Sequence, residues 1–324
     1  MSIDAARLAA WLGATDVVVE GSPSGGGWSN ETIFVRSGER GLVVRLTPPG
    51  PSMFPVYDLV RQVNCLELAA KHGLPVPRVL GAEPDPDILG RPFFVMERLA
   101  GRVPADDDPP FTKAGFLFDA SQQEQQTFCR DAIDNIVAVH ALDPPDFLPV
   151  GPAPIDHVEW CAELCRWAEV EHPQVWAAHD ALVRDVPPAA AAPVSLLWGD
   201  ARPANMLVGD DFRVVGLLDW ELAGIGPGEL DVAWFCEMNH MRAEGMGAAP
   251  LAGFLSDAAT WERWSVAVGR SATHVEWHQR YAAYRVAVLL FLYVRAMIAV
   301  GRVPADHRMR RDNVGTRRLG ELFA

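Results

Sequence analysis

The sequence predicts an α+β protein in which about one hundred strand-rich residues precede a mainly helical remainder. Three observations favour this class. Near the N-terminus the glycine run 25–27 separates two short β-branched segments, as in a loop between strands. Later, apolar residues recur at helical spacing over 129–140 and 160–167. Between these helices and the last third, residues 197–221 have the pattern of a strand, a loop and a hairpin.

The elements of the first hundred residues follow in order. A short helix capped by Asp4 opens the chain, and the later elements are strands at 17–19, 32–35 and 41–46, a helix over 57–72 and a strand over 92–101.

Beyond residue 100 the pattern becomes helical. Residues 102–126 are rich in Pro, Asp and Gln, and the acidic, proline-ended stretch 106–110 is predicted to be a solvated loop. Helices are expected over 129–140, most of 154–186 and most of 250–300. The apolar run 286–300 is about fifteen residues, short of the roughly twenty that a membrane span needs, so we expect a core helix. The basic tail 302–318 is expected to be a surface helix or a frayed end.

Composition narrows the function. The 324 residues suffice for two domains, and the formal net charge of −14 argues against a nucleic-acid partner. That charge fits a cationic substrate or serves solubility alone. No charged-then-apolar leader opens the chain and no membrane partner is indicated, so a cytoplasmic location is expected. The five cysteines have irregular spacing, which predicts reduced thiols.

The segment 197–221 carries the chemistry. Asp200 follows an apolar strand, Asn205 comes five residues later, and a second strand ends on Asp219. One carboxylate available as a base, together with an Asn and Asp pair suited to a divalent cation, is the layout used to transfer a phosphoryl group to a hydroxyl.

The stretch from Trp198 to Asp231 resembles the aminoglycoside phosphotransferase and choline-kinase-like family. Within it, the closest likeness is to the bacterial phosphotransferases that resemble the kinase-like domain of acyl-CoA dehydrogenase-associated proteins. The resemblance implies a two-lobed protein-kinase-like fold, with a small antiparallel β N-lobe over 1–100 and a helical C-lobe over 101–324. It also implies that Asp200 accepts the proton of the attacking hydroxyl, that Asn205 and Asp219 hold Mg²⁺, and that Asp231 braces the catalytic loop.

The same resemblance assigns the nucleotide site. The residues expected to contact ATP or GTP are Gly25, Gly26, Gly27, Ser29, Asn30, Arg45, Gln62, Met96, Glu97 and Leu99. The glycine loop would approach the phosphates through its backbone, although a plain hairpin turn also explains three glycines. Met96, Glu97 and Leu99 fall at the hinge, where main-chain groups would meet the base.

Three positions depart from the family pattern. Arg45 stands where a phosphate-binding Lys is usual, with a surface arginine as the alternative. Gln62 replaces the Glu that would pair with that cation, so only a neutral hydrogen-bond acceptor reaches Arg45. Trp198 replaces a His that packs against the loop, and an indole can fill that place and donate one hydrogen bond. His140 is expected to pack beneath the loop.

Two further residues are assigned with an alternative each. Arg202 either neutralises the transferring phosphoryl group or extends into solvent. Glu221 either contacts a metal-bound water or is a capping acid. Glu237 to Met241 and the helical region 250–300 are expected to wall the acceptor pocket.

The sequence therefore predicts an ATP- or GTP-dependent, Mg²⁺-dependent kinase acting on a small hydroxylated molecule. An aminoglycoside, a macrolide, a sugar alcohol and a hydroxyacyl thioester all remain open as acceptors, as does the oligomeric state. The alternatives are a catalytically weak nucleotide-binding pseudokinase with a regulatory role, supported by Arg45, Gln62 and Trp198, and a Mg²⁺-dependent phosphohydrolase.

Overall fold

The structure is a computed structural model that describes residues 3–23, 29–106, 108–148 and 151–323. The predicted phosphate contacts Gly25, Gly26 and Gly27 lie outside these ranges. The neighbouring Ser29 and Asn30 lie inside them and are both buried.

A five-stranded antiparallel sheet occupies the N-terminal part of the chain. Its strands are β1 (Val18–Gly21), β2 (Glu31–Ser37), β3 (Arg40–Leu46), β4 (Val79–Glu83) and β5 (Phe93–Glu97), in the spatial order β1-β2-β3-β5-β4. The register pairs Arg45 with Thr32 on one side and with Phe94 on the other. Arg45 therefore lies on the middle strand of the sheet, and its position as a strand-edge surface arginine is excluded.

Two helices accompany this sheet. Helix α1 (Ala5–Leu12) begins at Asp4, whose side chain accepts from the backbone N–H groups of Ala6 and Arg7, as the sequence predicted. Helix α2 (Leu59–Lys71) begins at Asp58 in the same way. It packs on β4 and β5 and carries Gln62 into the interior.

The remainder of the chain is mainly helical, so the predicted α+β class is confirmed. The helices are α3 (Gln122–His140), α4 (Pro154–Trp167), α5 (Pro173–Arg184), α6 (Glu229–Arg242), α7 (Asp257–Val268), α8 (Val275–Ala299) and α9 (Val314–Leu322). The boundary between lobes at residue 100 stays a prediction.

Helix α8 is the centre of this helical part. It contacts α4, α5, α6 and α9. By length and composition it could cross a membrane, but 67% of its most apolar stretch is buried inside the fold, as expected for a core helix. The helix is 25 residues long and so exceeds the fifteen-residue run seen in the sequence.

Two expectations about the less regular segments need comment. The loop predicted to be solvated at 106–110 is so only in part, because Asp108 and Pro109 are exposed whereas Asp106 is ion-paired and Pro110 is buried. Part of the basic tail forms α9, which packs on α8 through the buried Leu319 instead of fraying.

Two small two-stranded antiparallel sheets present the acidic residues. Strands β6 (Val194–Leu197) and β9 (Gly224–Pro227) form one pair, and β7 (Met206–Val208) and β8 (Val214–Leu217) form the other. The strand predicted before Asp200 is thus β6, and the predicted hairpin before Asp219 is β7 and β8. Backbone hydrogen bonds between Arg102 and Val208 tie β7 to the segment that follows β5.

Candidate active site

The carboxylate of Asp200 lies at the end of the loop after β6 and is held by three donors. Trp234 Nε1 donates to Oδ1 at 2.8 Å, whereas Asn205 Nδ2 and Arg202 Nε donate to Oδ2 at 2.7 and 2.9 Å. A carboxylate offers about four lone-pair directions, so one remains for a hydroxyl. The side chain is fixed in orientation and still able to accept one more proton donor.

Asp231 braces the loop from below, as predicted. Its Oδ2 accepts from the backbone N–H of Trp198 at 2.8 Å and its Oδ1 from that of Gly199 at 2.9 Å. His140 completes the brace with Nε2 at 3.2 Å from Asp231 Oδ2. Because the indole N–H of Trp264 donates to His140 Nδ1 at 3.0 Å, the proton lies on Nε2 and points at Asp231. The structural assignment of His140 is confirmed.

Trp198 lies at the position where the resemblance led us to expect a His. The side chain is fully buried, and its Nε1 donates to the carbonyl oxygen of Leu218 at 3.0 Å. Leu218 in turn donates its N–H to the carbonyl of Asn205 at 2.8 Å. The indole therefore connects the loop that carries Asp200 to the residue just before Asp219, and it fills this site and donates one hydrogen bond, as predicted.

Asp219 and Asn205 lie at neighbouring ends of the β7–β8 hairpin. Asp219 has a positive φ of 61°, a strained conformation for a non-glycine residue that is characteristic of functional sites. Its Oδ1 accepts from Arg45 Nη2 at 3.0 Å, and Arg45 Nη1 also donates to Thr32 Oγ1 at 3.1 Å. The predicted phosphate-binding cation and the predicted metal ligand are thus in direct contact across the cleft.

Glu221 is the second carboxylate of this cleft. Burial, and next the nearby carboxylate of Asp219, raise its pKa to about 8. Asn30 Nδ2 donates to Glu221 Oε2 at 2.8 Å, and Arg61 Nη2 donates to the Glu221 carbonyl at 2.8 Å. The structure therefore brings Glu221 to the acidic cleft beside Asp219, in contact with the segment that follows the glycine loop.

Gln62 does not form the expected hydrogen bond with Arg45, and this prediction is wrong. The Gln62 side chain is buried and its Nε2 has no partner among the described residues. Arg45 is instead engaged by Thr32 and Asp219. Helix α2 reaches the cleft through Arg61, the adjacent residue, because the helix turns that side chain toward Glu221.

Arg202 does not extend into solvent, since its side chain is only 17% exposed. It binds Asp200 through Nε, and its Nη1 contacts Asp106 Oδ2. Arg242 Nη2 donates to the same Asp106 oxygen at 2.6 Å. Burial by itself would raise the pKa of Asp106, but the two guanidinium groups hold it below its usual value.

The predicted hinge residues differ in whether their main-chain N–H groups are already hydrogen-bonded. The N–H of Glu97 donates to the carbonyl of Arg78 at 2.9 Å, and its side chain accepts from the Arg78 guanidinium. Met96 is half-buried on β5. The N–H of Leu99 bonds no residue in the described ranges, so of the two main-chain donors expected near the base, Leu99 keeps its N–H available.

Comparison with known proteins decides the family. The model of the phosphotransferase enzyme family matches residues 20–266, which is more than half of the chain. The chain belongs to this family. A protein of Ralstonia eutropha assigned provisionally as an aminoglycoside phosphotransferase has the same fold, with a TM-score of 0.75, 21% identity and 99% coverage of both chains. The two-lobed kinase-like fold predicted from the motif is therefore confirmed.

Two further relatives extend the comparison. A thermostable mutant of aminoglycoside phosphotransferase APH(4)-Ia, solved as a ternary complex with AMP-PNP and hygromycin B, has a TM-score of 0.60, 17% identity and coverage of 98% and 96%. Acyl-CoA dehydrogenase family member 10 of Mus musculus is 28% identical over 214 residues. That match covers 65% of this chain but only 19% of the mouse protein, so the likeness is to one part of a longer protein.

Sequence reasoning missed four residues of the site. They are Arg61, Asp106, Trp234 and Arg242. One could have been found, because Trp234 comes three residues after Asp231 and therefore shares its helix face. Asp106 gave no local signal, since its partners lie 96 and 136 positions away.

Proposed function

We propose that this protein transfers the γ-phosphoryl group of ATP to a hydroxyl of a small molecule, with Mg²⁺ as cofactor. The observation that carries the proposal is the Asp200 carboxylate, held by three donors with one acceptor direction left, beside Asn205 and the strained Asp219. Membership of the phosphotransferase family supports this activity. The solved APH(4)-Ia complex with AMP-PNP supports ATP as donor, and GTP is the alternative donor.

The donor set fits Mg²⁺. The described residues contain no group of three or more His, Cys, Asp or Glu side chains able to hold a metal. Mg²⁺ at nucleotide sites uses one or two carboxylates and takes its other oxygens from phosphates and water. Asn205 uses its Nδ2 for Asp200, which directs its Oδ1 elsewhere, and the mutual repulsion of Asp219 and Glu221 is relieved by a cation. The bound ion would neutralise charge on the phosphates.

The proposal assigns a separate role to each residue of the site. Asp200 orients the acceptor hydroxyl and accepts its proton. Arg45, already within the cleft, would exchange Asp219 for a phosphate oxygen, since its guanidinium is charged and bidentate. Ser29 and Asn30 would contact the phosphates, and Met96 with the Leu99 N–H would receive the base. Arg202 orients Asp200 and leaves its charge close to the transferring group.

Nucleotide binding is the first test. Melting temperatures are measured with ATP, GTP and ADP, each with and without Mg²⁺, for the wild type and Asp219→Ala. A ligand at one hundred times its Kd stabilises by about 2.7 kcal/mol, so we expect a Mg²⁺-dependent rise that Asp219→Ala abolishes. No shift with any nucleotide would refute the proposal and favour a kinase fold without its chemistry.

Transfer is the second test. We expect ADP release that depends on an added alcohol and that Asp200→Asn lowers by several orders of magnitude while the nucleotide shift persists. ADP release at the same rate without any acceptor would indicate the phosphohydrolase instead. The cytoplasmic location also belongs to the proposal, and it agrees with five cysteines that are all buried and unpaired.

A further inference from the structure

Arg285 is a buried cation with which no described residue forms an ion pair. It lies on α8 and is 6% exposed, and its Nε is buried without a hydrogen-bond partner among the described residues. A buried charge is normally paired and hydrogen-bonded, because the loss of hydration is otherwise uncompensated. Arg285 therefore has unused capacity to bind an anion.

The side chains that contact the Arg285 guanidinium are aromatic. Its Cζ lies 4.4 Å from the ring centre of Trp234 and 5.8 Å from that of Trp160, so cation–π attraction holds the group in place. Burial raises the pKa of the Cys161 thiol to about 11 and that of the Tyr281 phenol well above its usual value. Neither side chain can supply a negative charge near pH 7.

Other arginines near the active site already have carboxylate partners. Asp106 holds Arg202 and Arg242, and Glu237 accepts from Arg318 Nε at 3.2 Å with both oxygens. Asp231 is also occupied, by two backbone N–H groups and His140. Arg285 differs from these arginines because no described carboxylate is ion-paired with its guanidinium.

The position of Arg285 relates it to the acceptor. Trp234, whose ring it contacts, donates through Nε1 to Asp200 Oδ1 at 2.8 Å. One indole ring therefore separates the buried guanidinium from the carboxylate that orients the acceptor hydroxyl. The two helices involved, α6 and α8, belong to the region expected to wall the acceptor pocket, and they pack directly on each other.

We propose that Arg285 binds an anionic group of the acceptor, so that the substrate is an alcohol carrying a carboxylate or a phosphate. This inference rests on the proposed phosphotransfer at Asp200. A planar guanidinium recognises both anions through two parallel hydrogen bonds. The substrate class is then opposite in charge to the polycationic aminoglycosides, even though the net charge of −14 would suit a cation.

The test compares acceptors of different charge, three of which share the glycerol carbon skeleton. ADP release is measured with glycerol, glycerate, glycerol 3-phosphate and kanamycin, for the wild type, Arg285→Met and Arg285→Lys. We expect the wild type to prefer glycerate or glycerol 3-phosphate, and the difference between these two identifies the anion. Arg285→Met should raise KM for the preferred acceptor about tenfold or more, the value of a hydrogen-bonded charge, with kcat preserved. Arg285→Lys should recover part of the loss.

A binding measurement makes the result independent of turnover. Melting temperatures are compared in acetate, inorganic phosphate and chloride at equal ionic strength. The matched control is Arg295→Met, because Arg295 lies on the same helix with its Cζ 4.1 Å from the Trp167 ring but is exposed. We expect acetate or phosphate to stabilise the wild type and Arg295→Met more than Arg285→Met.

Several outcomes would overturn the inference. Equal anion stabilisation in all variants would do so, as would preference for glycerol or kanamycin, or a loss of kcat by Arg285→Met with every acceptor. If Arg285→Met does not fold, the comparison is made between the wild type and Arg285→Lys. The deciding quantity is then the difference in melting temperature between acetate or phosphate and chloride. A wild type that binds no nucleotide refutes the phosphotransferase proposal separately, since Arg285 touches no predicted nucleotide contact.

Discussion

Gly199→Ala is expected to be costly, and the cost follows from two separate features of one residue. Gly199 has φ +82° at the turn between Trp198 and Asp200, and an added Cβ would overlap the carbonyl group of Leu222. The left-handed conformation costs an alanine about 1–2 kcal/mol. The overlap is with backbone, so its relief requires a shift of the chain after Glu221 at roughly 1–3 kcal/mol more. The expected loss of unfolding free energy is about 2–5 kcal/mol.

A second glycine separates these two contributions. Gly269, which ends α7, has φ +72°, and a Cβ added there would have no atom within 4 Å. Gly269→Ala should therefore lose only the conformational part, about 1–2 kcal/mol. Urea unfolding followed by circular dichroism measures both variants. Equal losses would show that the close approach of Gly199 to Leu222 does not constrain the loop.

Three further substitutions test the interactions around Asp200 and the buried histidines. Trp234→Phe removes a hydrogen bond to a carboxylate and should lower the free energy of unfolding in urea by about 1.5–3 kcal/mol. The control Trp220→Phe loses a hydrogen bond to the neutral Leu217 carbonyl and should lower it by about 0.5–1.5 kcal/mol. A larger loss for Trp220→Phe than for Trp234→Phe would contradict this reasoning. Asp106→Asn should lower the rate of ADP release by loosening Arg202 and leave nucleotide stabilisation unchanged; an unchanged rate would leave Asp106 without a role in positioning. Burial lowers the pKa of His278 to about 4 from 6.5, so its contribution of roughly 3 kcal/mol is present above pH 6.5 and is lost as pH falls toward 4. His278→Phe should flatten this acid dependence of the unfolding free energy, and an unaltered slope would assign the dependence to other groups such as His157.

Local pattern was sufficient for much of the fold. The cap at Asp4, the helix around Gln62 and the hairpin ending at Asp219 were predictable because each depends on residues close together in the chain. The spacing of Asp200, Asn205 and Asp219 was equally informative, since one loop and one hairpin bring the three residues together.

Predictions that depended on distant contacts were less successful. The partner of Arg45 was expected to be Gln62 and is Asp219, which lies 174 positions further along the chain. The choice between the adjacent residues Arg61 and Gln62 depends on how α2 is rotated against the sheet. That rotation is set by burial of the whole helix face, which local spacing does not report.

The sequence by itself was sufficient to predict the family and to propose the chemistry, because the loop with Asp200 and the hairpin ending at Asp219 are contiguous and their residue types have few other uses. Tertiary structure alone decided which side chains support that chemistry. Trp234 reaches Asp200 across 34 positions, Asp106 reaches Arg202 across 96, and Arg285 meets Trp234 only because α6 packs on α8. Charge shows the same division. The sum of −14 follows from composition, but only folding buries Arg285 against Trp234 with no ion-pair partner among the described residues.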